Sequence, residues 1–120
     1  MQNVLICDHE ASCRHKLRDV LESKGFHVQE ASRPSEAVKY VLKQRFGAVI
    51  FCLEAEDMDC LQILSAITRG IDYKLPVIVV TGSNVPLSSV SSVIHDTFRL
   101  FQKPVDCNEI EEAIREAIII

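Results

Sequence analysis

Three unbroken apolar runs restrict this chain more than any other feature: Val4-Leu5-Ile6-Cys7, Ala48 to Leu53, and Pro76 to Val80. A strand with one wet face alternates apolar and polar residues, so a run without polar positions has to be covered on both faces. Two further segments, Phe26-His27-Val28-Gln29-Glu30 and Phe98-Arg99-Leu100-Phe101-Gln102, mix the two kinds of residue, as half-exposed edge strands do. Strands 1, 3 and 4 are therefore expected at the centre of a parallel sheet, with strands 2 and 5 outside.

Helical spacing fills the intervals. Leu17, Val20 and Leu21 mark a first helix closed by Lys24-Gly25, with glycine where a left-handed cap is wanted. Ala37, Val38, Val41 and Leu42 mark a second, opened by Ser32 and Pro34. Leu61, Leu64 and Ile67 mark a third ended by Gly70, and Leu87, Val90, Val93 and Ile94 give a fourth. Ile110, Ala113, Ile114, Ala117 and Ile118 stripe the last, which Asp106 or Asn108 can cap. Regular strand–helix alternation with right-handed crossovers gives a doubly wound, three-layer α/β/α sandwich around a five-stranded parallel sheet of order 2-1-3-4-5.

With 120 residues the chain forms one domain, spanning 1–120. No apolar stretch reaches the roughly 18 residues a membrane helix needs, and Met1-Gln2-Asn3-Val4 lacks the basic lead of a signal peptide, so no membrane contact and a cytoplasmic location are expected. Five cysteines without CxxC or Cys/His ligand spacing read as reduced thiols. A net charge of −4 argues against direct nucleic-acid binding, which wants a basic face.

Ligands of such sheets sit beyond the carboxyl ends of the strands, where the strand order reverses. Those ends deliver Asp8-His9-Glu10 from strand 1, Cys52-Leu53-Glu54 from strand 3, Thr81-Gly82-Ser83 from strand 4 and Gln102-Lys103-Pro104 from strand 5. At these residues the chain resembles, over its whole length, the flavodoxin-like receiver domain of two-component response regulators. The family's strand-1 pattern, two acids and a glutamate, is matched by Asp8-His9-Glu10. Its strand-4 hydroxyl and small residue are matched by Thr81-Gly82, and its Lys-Pro by Lys103-Pro104. The family's Met-Asp after strand 3 aligns with Met58-Asp59, which sets the phosphoacceptor position at Cys52.

The resemblance implies that this position would take a phosphoryl group from a histidine kinase or a small donor. Mg²⁺ would be held by the acceptor, the strand-1 acids at 8 and 9 and the carbonyl of Glu54, with Thr81 and Lys103 as phosphate contacts. Here a thiol stands at the acceptor and His9 at a ligand acid; Leu100 replaces the aromatic switch on strand 5. The degenerate acidic pocket then comprises Asp8, His9, Glu10 and Glu54. If only Asp8 counts against Lys103, the charge is near zero, and no metal beyond weak Mg²⁺ is expected. A thiol cannot form an acyl phosphate.

The chain is therefore expected to be a non-enzymatic pseudo-receiver acting through protein contacts with a histidine kinase or an effector domain. A homodimer would use the face of the fourth helix, fifth strand and fifth helix. Cys52 itself reads first as an inert core thiol, since buried free cysteine behaves as a small hydrophobe; the alternative is a redox-sensing receiver in which Lys103 lowers the Cys52 thiol pKa, with Cys7 a strand away. A flavin or nucleotide protein is disfavoured because the first turn is acidic and lacks a Gly/Ser/Thr phosphate cradle. The apolar finish Ile118-Ile119-Ile120 suggests the N-terminal piece of a longer regulator.

Overall fold

The computed structural model describes residues 2–54, 69–71, 73–85 and 97–119. In chain order the elements are β1 (Asn3–Cys7), α1 (Ala11–Ser23), β2 (His27–Ala31), α2 (Pro34–Lys43), β3 (Ala48–Leu53), β4 (Val77–Thr81), β5 (Thr97–Gln102) and α3 (Cys107–Ile119). All neighbouring strands are parallel and the sheet order is β2-β1-β3-β4-β5, as the burial pattern of the runs requires. The expected third and fourth helices, on Leu61 to Ile67 and Leu87 to Ile94, lie outside the described residues.

Side-chain alternation divides the core in two. Leu5, Cys7, Val49, Phe51, Leu53, Val77 and Val79 pack with Ala37 and Val41 of α2 on one face. Val4, Ile6, Ile50, Cys52, Ile78 and Val80 pack on the other with Leu17 and Leu21 of α1 and Ile110, Ala113 and Ile114 of α3. Every residue of β3 and β4 is buried, whereas β2 runs half exposed along the edge. Each fully buried Ile, Leu or Phe contributes about 1.5–3 kcal/mol, so the central strands carry most of the stabilisation.

The helix ends follow local chemistry. Gly25 has a φ of 94°, and its N–H donates to the Glu22 carbonyl at 3.1 Å, closing α1 where a side-chain residue would be strained. Pro34 opens α2, and the Ser32 hydroxyl donates to Glu36 Oε1 at 2.6 Å just ahead of it. Of the two caps proposed for the last helix, Asp106 is the one used: its Oδ1 accepts the Asn108 N–H at 2.8 Å.

An ion-pair network locks α1 to the β2 edge. Glu30 accepts from Arg14 Nε at 2.8 Å and from Arg18 Nη1 at 3.0 Å. Burial works to raise the Glu30 pKa, but the two guanidinium bonds outweigh it and hold the carboxyl below its usual range. Arg14 also donates through Nη1 to the Asp8 carbonyl at 2.7 Å, so the network reaches the tip of β1.

Candidate functional site

The ends of β1, β3, β4 and β5 converge as the strand order requires. The Asp8 N–H continues the ladder to the Ala31 carbonyl at 3.1 Å, which leaves the Asp8 side chain at the sheet's end, only 2% exposed. Its Oδ1 accepts the Glu10 N–H at 3.0 Å and its Oδ2 lies 3.4 Å from Lys103 Nζ. Lys103 is fixed through its backbone, whose N–H donates to the Thr81 carbonyl at 2.8 Å ahead of a cis peptide to Pro104.

Lys103 meets more acid than the sequence suggested. Its Nζ lies 2.9 Å from Glu10 Oε1 and 3.9 Å from Glu54 Oε1, besides Asp8. Three carboxylates facing one ammonium leave a formal charge of −2, so the crevice is acidic where a near-neutral sum was expected. The two additional acids come from the turns after β1 and β3 rather than from the strands. Glu54 can fold inward because position 82 has no side chain: a Cβ on Gly82 would collide with the Glu54 carboxylate. Burial works against the Lys103 charge, yet the Glu10 bond and the Asp8 charge outweigh it and raise the ammonium pKa. The same bond to Lys103 lowers that of Glu10.

His9, with its side chain 50% exposed, stands beside this cluster with Nδ1 4.0 Å from Asp8 Oδ1. One donor atom each from His9, Glu10 and Glu54 lies within 4.8 Å of the others. Of the other histidines, His15 and His27 are exposed, and His95 lies outside the described residues.

Cys52 is a core residue whose thiol borders this charged rim. It is 7% exposed on the α1/α3 side of the sheet, where it borders a cleft of about 410 Å³ together with Leu17, Val80, Val105 and Ile110. Burial raises its thiol pKa well above the usual range and the Asp8 charge adds to this; Lys103 pulls the other way and is outweighed. Burial thus favours the inert core thiol over the redox-active thiolate. Cys7 packs on the α2 side, across the sheet from Cys52, so the two thiols do not face each other.

Thr81 is fully buried and its hydroxyl donates to the Phe101 carbonyl at 3.4 Å, satisfying the β4–β5 ladder. Leu100 is half-buried against the cluster containing Val77 and Val79. Sequence reasoning assigned nothing to Arg14, although it holds the backbone of Asp8; Arg14 and Arg18, four residues apart on one face of α1, were the available signal.

Residues 4–115 match the family model described as response regulator receiver domain. An NtrX-like response regulator of Rickettsia bellii is 26% identical over 117 residues, covering 96% of this chain and 24% of its own length. The sporulation initiation phosphotransferase F of Bacillus subtilis is 26% identical over 115 residues, covering 96% of this chain and 92% of its own. A receiver domain structure from Clostridium thermocellum superposes with a TM-score of 0.82 at 23% identity, covering 99% of this chain and 95% of the other. The chain thus spans about a quarter of the first relative and nearly all of the second. No described helix is long and apolar enough to cross a membrane.

Proposed function

The chain belongs to the response regulator receiver domain family, and from that premise we propose that it is a pseudo-receiver, relaying signals through protein contacts without an aspartyl phosphate. The observation that carries this reading is Cys52. The β3 position aligned with the phosphoacceptor holds a buried thiol, and a thiol offers no carboxylate oxygen from which an acyl phosphate is built. A receiver without that cycle catalyses nothing and acts by what it binds.

The donor set also fits Mg²⁺ poorly. This small hard cation wants oxygen ligands in near-ideal octahedral geometry. Position 52 offers sulfur and position 9 imidazole, while Asp8 is engaged through Oδ1 by the Glu10 N–H and faces Lys103 through Oδ2. The formal charge of −2 would attract a cation, so donor chemistry rather than charge is the reason for weak Mg²⁺ binding.

The partners of this reading are a histidine kinase or an effector domain in the cytoplasm, and the surface of β5 and α3 is the face for them or for a second copy. Where the chain is part of a longer regulator, as in relatives of which it spans about a quarter, the effector would lie on the same polypeptide. The thiol-switch alternative finds no support in the raised thiol pKa or in the position of Cys7. The test is beryllofluoride with Mg²⁺, followed by amide NMR shifts at Thr81 and Lys103. Wild type is expected to stay silent and a Cys52→Asp/His9→Asp variant to respond; a wild-type response equal to the variant's would defeat the proposal.

A further inference from the structure

We propose that His9, Glu10 and Glu54 form a binding site for a borderline divalent transition-metal ion, with Zn²⁺ the best-fitting member, in place of a hard cation. This deepens the reading above and rests on it in one respect, that position 52 supplies no oxygen ligand. The geometry is close to that required. The three donor atoms lie within 4.8 Å of one another, and a metal with ligands at about 2.0–2.2 Å joins donors up to roughly 4 Å apart. All three side chains are partly solvent-exposed, so rotation about their own bonds closes the difference without moving the backbone.

Ligand type selects the metal. Imidazole suits zinc, copper and nickel, and a set of one imidazole and two carboxylates is a three-ligand zinc shell that leaves a position open to water or a partner's side chain. Mg²⁺ gains little from nitrogen and gives up its water reluctantly. Two surrounding groups reinforce the assignment. The buried Asp8 carboxylate lies 4.0 Å from His9 Nδ1, beyond hydrogen-bond reach, and adds negative field beside the imidazole. Gly82 leaves the space that the inward Glu54 carboxylate occupies.

Lys103 is the competitor. It holds Glu10 through Oε1, whereas Oε2 faces Cys13 Sγ at 3.5 Å. A bound cation therefore takes Glu10 away from Lys103 and leaves the ammonium to Asp8.

The experiment titrates the full chain with ZnCl₂ or MgCl₂ and follows the imidazole resonances of His9, His15 and His27 by NMR. Zn²⁺ is expected to move His9 first and saturably at concentrations where Mg²⁺ leaves it unmoved. Loss of a mere supporting group around a metal costs roughly 10- to 100-fold in affinity, so Glu54→Gln and His9→Ala should cost at least that. Circular dichroism checks that both remain folded, which the exposure of His9 and the partial exposure of Glu54 favour. A Cys13→Ser variant should keep the site. Zn²⁺ that binds undiminished to His9→Ala, that moves His15 or His27 instead, or that is lost only with Cys13→Ser overturns the proposal. Phosphoryl labelling of the wild type would defeat the pseudo-receiver reading alone, and a His9 resonance unmoved by Zn²⁺ would defeat this one alone.

Discussion

The tips of β1 and β3 are neighbours in register, Cys7 pairing with Phe51, yet they end in opposite chemistry. Beyond Cys7 come a buried acid and a glutamate that both face one ammonium, with an exposed imidazole beside the acid. Beyond Phe51 come a buried thiol and a buried leucine, with the next acid displaced to Glu54 in the turn. On the pseudo-receiver reading, the contrast separates two properties that a receiver site ordinarily combines. Negative excess is a sum over several side chains and survives when turn residues contribute. Acceptor chemistry belongs to one atom type at one strand position and has no substitute.

The contrast breaks most visibly at the ammonium that spans it. Lys103→Met should cost about 3 kcal/mol in urea unfolding, the scale of removing one partner from a buried pair, because Asp8 is then left buried with its charge uncompensated. Little change would mean that the β1 tip is wetter than its burial indicates. Cys52→Asp comes next: a carboxylate enters the apolar side of the β3 tip, at an expected cost of about 1–3 kcal/mol. An unchanged midpoint would show that the β3 tip tolerates charge as the β1 tip does.

At the far edge of the β1 side, Glu30→Gln should cost about 1 kcal/mol through its weakened bonds to Arg14 and Arg18. The sign of its pH dependence is fixed. The folded-state pKa lies below the ordinary 4.5, so this stabilisation is complete above that value and disappears as pH falls through the lowered pKa. Wild-type and E30Q stability curves should therefore converge in acid and separate at neutral pH. The smallest effect involves no stability change: with a thiol reagent at neutral pH, exposed Cys13 should label while native Cys52 resists until unfolding. Equal labelling rates would remove the distinction between rim and core.

The central fold was legible because it depends on sums. Three apolar runs, two mixed ones and regular helical stripes leave few arrangements that cover every apolar face, and Gly25 and Asp106 then mark ends by local backbone chemistry. Asp8, Cys52, Thr81 and Lys103 could be placed at one end of the sheet since strand tips fix them. Glu10 and Glu54 were located but not oriented. Whether a turn glutamate faces water or an ammonium depends on Lys103, 93 residues from Glu10 in sequence, and on the missing Cβ of Gly82. The sequence left Cys52 between an inert core thiol and a sensor for a related reason: the nearby Lys103 could be weighed, while the burial that outweighs it was not visible.

The central claim, that the domain has kept the charge of a phosphorylation site and lost its acceptor, meets its most direct test in intact-mass spectrometry of the wild-type chain after incubation with acetyl phosphate and Mg²⁺. An unshifted mass is the expected result. A mass increased by one phosphoryl group, mapped to Asp8, Glu10 or Glu54, would contradict it.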